Sequence, residues 1–116
     1  MDHPLILIPL IVSPVFILAG CILWIKPPKN INVLYGYRTK STMENQERWD
    51  YAQPMAGREL VKFGLAYFST LLLGFIFENV NESLGVVIAI SLLLIGVVML
   101  FIRLERKMKK KFGPLH

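Results

Sequence analysis

Three blocks of this chain carry no charge at all: Pro4 to Ile25, Phe63 to Phe77 and Ser83 to Ile102. With Leu60 and Val61 the middle block becomes an apolar run of about eighteen residues, interrupted only by Lys62 at its edge. A helix of ~20 apolar residues covers the ~30 Å hydrocarbon layer of a bilayer. Each block is apolar on every face, whereas the helices of a soluble bundle carry an apolar stripe. The pattern predicts an all-α integral membrane protein with three transmembrane helices, at about 4–25, 60–77 and 83–102, in a single domain covering 1–116. A loop at 26–59 and a basic tail at 103–116 complete it.

Within the polar loop, local signals divide the chain further. Trp24 closes the first block as an interface residue, and Lys26, Pro27 and Pro28 stop its helix. Ser41-Thr42-Met43-Glu44 has capping-box spacing, so a helix is expected from Thr42 to about Gln53. Its Trp49 face continues through Ala52, Ala56 and Leu60, while Glu44, Gln46, Glu47 and Asp50 fall elsewhere. That arrangement suits an interfacial helix with Trp49 against the membrane, ended or kinked by Pro54. Pro9 and Pro14 should bend the first span, with neighbouring helices or Ser13 satisfying the freed carbonyls. Small residues punctuate the other two: Gly57, Gly64, Ser69 and Gly74, then Gly85, Ala89 and Gly96. They allow close helix approach, and the short turn between the two spans makes an antiparallel hairpin.

Composition agrees with the pattern, since 54% of residues are apolar, against ~45–50% in ordinary soluble domains. Charge adds orientation. Of the thirteen Lys and Arg, seven lie between the first two spans and six follow the third, while the N-terminus and the Glu78–Glu82 turn carry only acids. Basic segments stay cytoplasmic, so the expected topology is N-terminus outside and C-terminus inside, multi-pass in a cytoplasmic membrane. The basic tail abuts a span, so anionic lipid is its expected partner rather than nucleic acid. Leu18-Ala19-Gly20-Cys21 looks like a lipoprotein cleavage site, but apolar residues continue past Cys21 and the preceding charge is negative. We read Cys21 as a small buried residue.

Chemistry is sparse. His3 and His116 stand at opposite ends, and no Cys or His cluster has metal-ligand spacing, so no metal or other cofactor is expected. Serines lack a nearby base and no phosphate loop is present. Carboxylate pairs such as Glu44 with Glu47 read as a solvated face. Apart from Lys62 at the edge of the second, no Asp, Glu, Lys, Arg or His lies inside a predicted span, where a coupled carrier would place one. What remains is the loop, where Tyr35 and Tyr37 flank Gly36 and Arg38 follows. The Arg38 guanidinium suits a phosphate or carboxylate. It can equally tie the loop down through Glu44, Asp50 or Glu59, or meet lipid phosphates.

Gly36-Tyr37-Arg38-Thr39, then Ser41-Thr42-Met43, Asn45, Trp49 and Gly57 together resemble the signature of the SdpI family across about 25 residues. The length resembles the short, single-module YfhL-like members more than the longer multi-pass protein for which the family is named. Gln53 stands where that longer protein has a His, so no role of the His transfers. The resemblance implies a non-enzymatic bacterial membrane protein giving immunity to a secreted antimicrobial peptide. It also implies binding of the toxin, or of a cytoplasmic regulator in signal transduction, through Gly36, Tyr37, Arg38, Thr39, Asn45, Trp49 and Gly57. Two other readings stay open: a structural accessory subunit docking a larger complex through its glycine stripes, and a small oligomeric channel or exporter.

Overall fold

In a computed structural model, which describes residues 3–114, the chain forms five helices and, among those residues, no strand. They are α1 (Pro4–Ile25), α2 (Lys40–Met43), α3 (Gln46–Ser69), α4 (Leu71–Ile76) and α5 (Glu82–Phe112). Three stretches are long and apolar enough to cross a membrane: α1, α3 continued through α4, and α5. Met1, Asp2, Leu115 and His116, which include part of the polar N-terminus and one histidine noted above, lie outside the described residues.

The helices close on one another through glycine. A Cβ on Gly57 of α3 would stand 2.5 Å from the Trp24 nitrogen and 2.7 Å from the Gly20 carbonyl oxygen of α1. One on Gly64 would meet Ile17, and one on Gly74 would meet Ile6. This succession makes α1 and α3–α4 antiparallel and backbone-close, as small residues permit in membranes. On α5, Gly85 packs on the His3 ring and Gly96 on the Phe63 ring, while the Ala89 carbonyl accepts the Tyr67 hydroxyl at 2.9 Å. These small residues serve helix packing within the chain, the first role expected of them.

Proline has less effect than its chemistry suggests. α1 runs on through Pro9 and Pro14. Ser13 does not supply the expected compensation: its hydroxyl is fully buried and has no hydrogen-bond partner among the described residues. The site lies at the tight crossing, where the Ser13 carbonyl is 3.2 Å from a Cβ built on Gly64, and small size is what that crossing uses. α3 likewise passes through Pro54 without a break. Gln53 and Met55 on either side are 0% and 2% exposed, and their packing outweighs one missing backbone donor.

The boundary expected at Ser41–Glu44 also moves. Thr39 caps α2 in a reciprocal box with Thr42, and Asn45, in extended conformation, starts α3 by accepting the Arg48 amide at 2.9 Å. The polar segment that was to lie apart as an interfacial helix is thus the first part of the long helix that becomes the second span. That span is itself interrupted at Thr70, where the Thr70 hydroxyl donates to the Tyr67 carbonyl at 2.6 Å.

The molecule is 51 Å long, beyond the ~30 Å of a hydrocarbon layer. Buried apolar side chains occur at both ends, Leu5 and Ile6 at one, and the excess lies at the other, basic end. Leu23, Ala52, Met55, Ala56, Leu104 and Met108 form one buried cluster there. Leu94, Ile95, Val98 and Met99 of α5 are instead exposed, as a lipid-facing surface requires.

Candidate functional site

The loop of residues 26–45 is held against α3 and α5 by side-chain hydrogen bonds, and the centre of that junction is Gln53. Its amide nitrogen donates to the Tyr37 carbonyl at 2.9 Å, and its amide oxygen accepts the Tyr37 amide at 2.6 Å. One buried side chain thereby does for this loop what a neighbouring strand would do. Gly36 makes the approach possible. Its φ is +105°, a region that favours glycine, and a Cβ there would fall 2.6 Å from the Gln53 amide oxygen and 2.8 Å from Pro28.

Glu105 of α5 is the second anchor. It accepts hydrogen bonds from the Tyr37 hydroxyl, from the Ser41 hydroxyl at 2.7 Å and from the Thr39 hydroxyl at 3.4 Å. Burial first, then the bond to Glu105 and the charge of that carboxylate, push the Tyr37 phenol well above the ordinary tyrosine range. The ring also meets Phe101 edge-on at 6.4 Å. Thr42 completes the knot by donating to the Tyr37 carbonyl at 2.9 Å. Loop, α2, α3 and α5 all converge on Tyr37.

Trp49 is 0% exposed and its indole N–H donates to the Pro28 carbonyl at 2.7 Å. The sequence reading set it against the membrane; the structure encloses it in protein, between α3 and the turn that leaves α1. Asn45 is a helix cap and lies at the start of α3. Gly57 belongs to the α1–α3 crossing, away from the knot. Arg38 is exposed, and among the described residues its side chain has no hydrogen-bond or ion-pair partner. The expected pairing with Glu44, Asp50 or Glu59 is not made.

Those carboxylates are used otherwise. Glu44 lies 3.6 Å from Arg48, a buried arginine that also donates to the Ser41, Gly113 and Pro114 carbonyls and sits over the Phe112 ring at 5.2 Å. It ties the end of α5 to the start of α3. Glu59, 4% exposed, takes Lys107 at 2.6 Å, Arg103 at 2.8 Å and Lys62 at 3.4 Å. The sequence offered Glu59 only as a partner for Arg38 and did not single out Glu105. Each is a lone acid in a strongly basic segment, and a single acid left among cations is the signal that marks it.

Residues 29–102 match the SdpI/YfhL protein family. The chain belongs to this family. Among its relatives, the uncharacterized protein YfhL of Bacillus subtilis (strain 168) is 32% identical over 94 residues, 80% of this chain and 78% of that one. No solved structure is a significant match. The family match spans the whole knot except Pro28 and Glu105, and takes in both spans of the hairpin. Of the seven candidate residues, Arg38 and Asn45 are exposed; Asn45 is used as a helix cap, and the Arg38 side chain has no partner among the described residues.

Proposed function

We propose that this SdpI-family chain is a non-catalytic immunity or tolerance protein of a bacterial cytoplasmic membrane, acting against a membrane-active antimicrobial peptide. Its N-terminus lies outside and its C-terminus inside. The observation that carries the site is the contrast between Tyr37 and Thr39, hydrogen-bonded into the bundle, and the exposed, unpartnered Arg38 between them. A loop fixed at Gly36, Tyr37 and Thr39 holds one guanidinium at a set place on the basic end of the bundle. Fixing the loop in advance removes most of the ordering cost of binding. The guanidinium is suited to a carboxylate, such as the C-terminus or an acidic side chain of a peptide. A cytoplasmic regulator with such a group can use the same surface.

Support for the topology comes from geometry as well as from residue counts. The basic residues of the loop and of the tail gather at one end, because Glu59 joins α3 to Arg103 and Lys107, and Arg48 joins it to Gly113. A single basic end is what the orientation of basic segments requires.

Expression in a sensitive bacterium, challenged with membrane-active peptides, tests the proposal. Wild type should protect, and Arg38→Ala should lose protection at unchanged abundance in the membrane. A wild type that protects against no peptide sinks the function. Full protection by Arg38→Ala leaves the function standing and sinks the site.

A further inference from the structure

Between α3 and α5, on the far side of Glu59 from the loop, lies an open groove of about 950 Å³. Its deep part is apolar, lined by Phe63, Ala66, Leu92, Gly96, Met99 and Leu100. These are residues of the second and third spans, so the groove opens sideways at membrane depth. Its mouth is different. Lys62, Arg103, Arg106, Lys107 and Lys110 surround the single carboxylate of Glu59.

We infer that this groove is a binding site for one anionic phospholipid, its phosphate at the basic mouth and an acyl chain along the apolar floor. Charge decides the occupant. Five cations face one carboxylate, and that carboxylate is nearly buried, so the mouth carries a surplus of positive charge toward the lipid. Glu59 acts as a positioning residue: it holds Lys107, Arg103 and Lys62 in a fan within 3.4 Å. Arg106 and Lys110 line the same mouth and, among the described residues, have no carboxylate partner. Arg103 gives only its Nε to Glu59. Phosphate oxygens supply the acceptors these donors lack. Apolar floor and cationic rim, one above the other, match a lipid's two chemistries, and basic pockets between spans are known to hold anionic headgroups. Gly96 keeps the floor open, since a side chain there would run into the Phe63 ring. The inference does not depend on the immunity proposal or on Arg38.

The test uses the full-length protein in detergent, titrated with phosphatidylglycerol or phosphatidylcholine, with bound lipid counted by native mass spectrometry. Wild type should retain about one phosphatidylglycerol and should prefer it to phosphatidylcholine. At about fivefold per basic residue, Arg106→Ala with Lys110→Ala should weaken retention roughly twenty- to thirty-fold. Ala66→Trp, which fills the floor, should also lose the lipid. Lys109→Ala with Lys111→Ala removes the same charge from tail residues that do not line the groove, and should leave retention unchanged. Equal loss in this second pair would mean diffuse attraction to the tail and would overturn the site. So would equal retention of both lipids, or a peptide found in the groove in place of lipid. Circular dichroism of each variant separates lost binding from lost fold.

Discussion

At the crossing of α1 with α3, Gly20 and Gly57 bring two backbones together, and nothing polar is exchanged between them. At the basic end, Gln53, Glu105, Thr39 and Thr42 join a loop to three helices almost entirely through hydrogen bonds. Solvent explains the difference. In lipid, apolar side chains gain little by packing on one another rather than on acyl chains, so close contact needs small residues. At the aqueous end the hydrophobic effect operates, and the buried cluster of Leu23, Met55, Leu104 and Met108 forms there, roofed by the polar knot. The end of the molecule with the fewest apolar blocks in its sequence therefore carries this buried cluster.

The largest way to break this contrast is Trp49→Ala. A fully buried indole would leave a cavity at the aqueous end, and we expect a loss of about 3–5 kcal/mol in detergent unfolding followed by circular dichroism. Gly57→Leu attacks the backbone crossing instead. With Trp24 backbone 2.5 Å from the new Cβ, the crossing cannot give without separating α1 from α3. Stability should fall by about 3 kcal/mol, and a cross-link engineered between the two helices should form poorly. Full tolerance of Leu at Gly57 would contradict the glycine account.

Gln53→Leu sharpens the comparison, because volume is nearly kept while the amide and carbonyl of Tyr37 both lose their partner. About 1–3 kcal/mol should be lost, with hydrogen exchange rising at residues 36–39 and not in α1. Tyr37→Phe is milder, at about 1 kcal/mol, and it changes the response to alkali. Because the folded phenol titrates above its unfolded value, the native state holds a proton that the unfolded state releases as pH rises past ~10. The stability this proton contributes is complete below that pH and is lost above it. A wild type whose alkaline loss is no steeper than that of Tyr37→Phe would remove Tyr37 from the account. Arg38→Ala is the smallest, within about 0.5 kcal/mol, and a larger loss would mean the side chain is structural after all.

Much of this was legible in the residues. Three helices long and apolar enough to cross a membrane follow from uncharged blocks alone, because burial in lipid is enforced residue by residue. The family signature from Gly36 to Gly57 marked the segment that organises the basic end. The roles within the signature were not legible. Ser41–Glu44 has capping-box spacing, yet Thr39 and Thr42 make the box, since a cap depends on which hydroxyl the chain direction brings to the helix start. Pro54 reads as a breaker but lies in a continuous helix, because packing of Gln53 and Met55 decides against the local preference.

The sequence by itself determined the class, the three spans, the separation of charge and the family. Each of these depends on composition within one continuous window, which a chain carries whether folded or not. Only the tertiary structure decided that Gln53 and Glu105 hold the loop, that Trp49 faces protein, and that Glu59 gathers three cations at the mouth of a groove. Those facts depend on residues such as Tyr37 and Glu105, 68 positions apart, meeting when α5 returns past the start of α3. No local pattern encodes such a meeting.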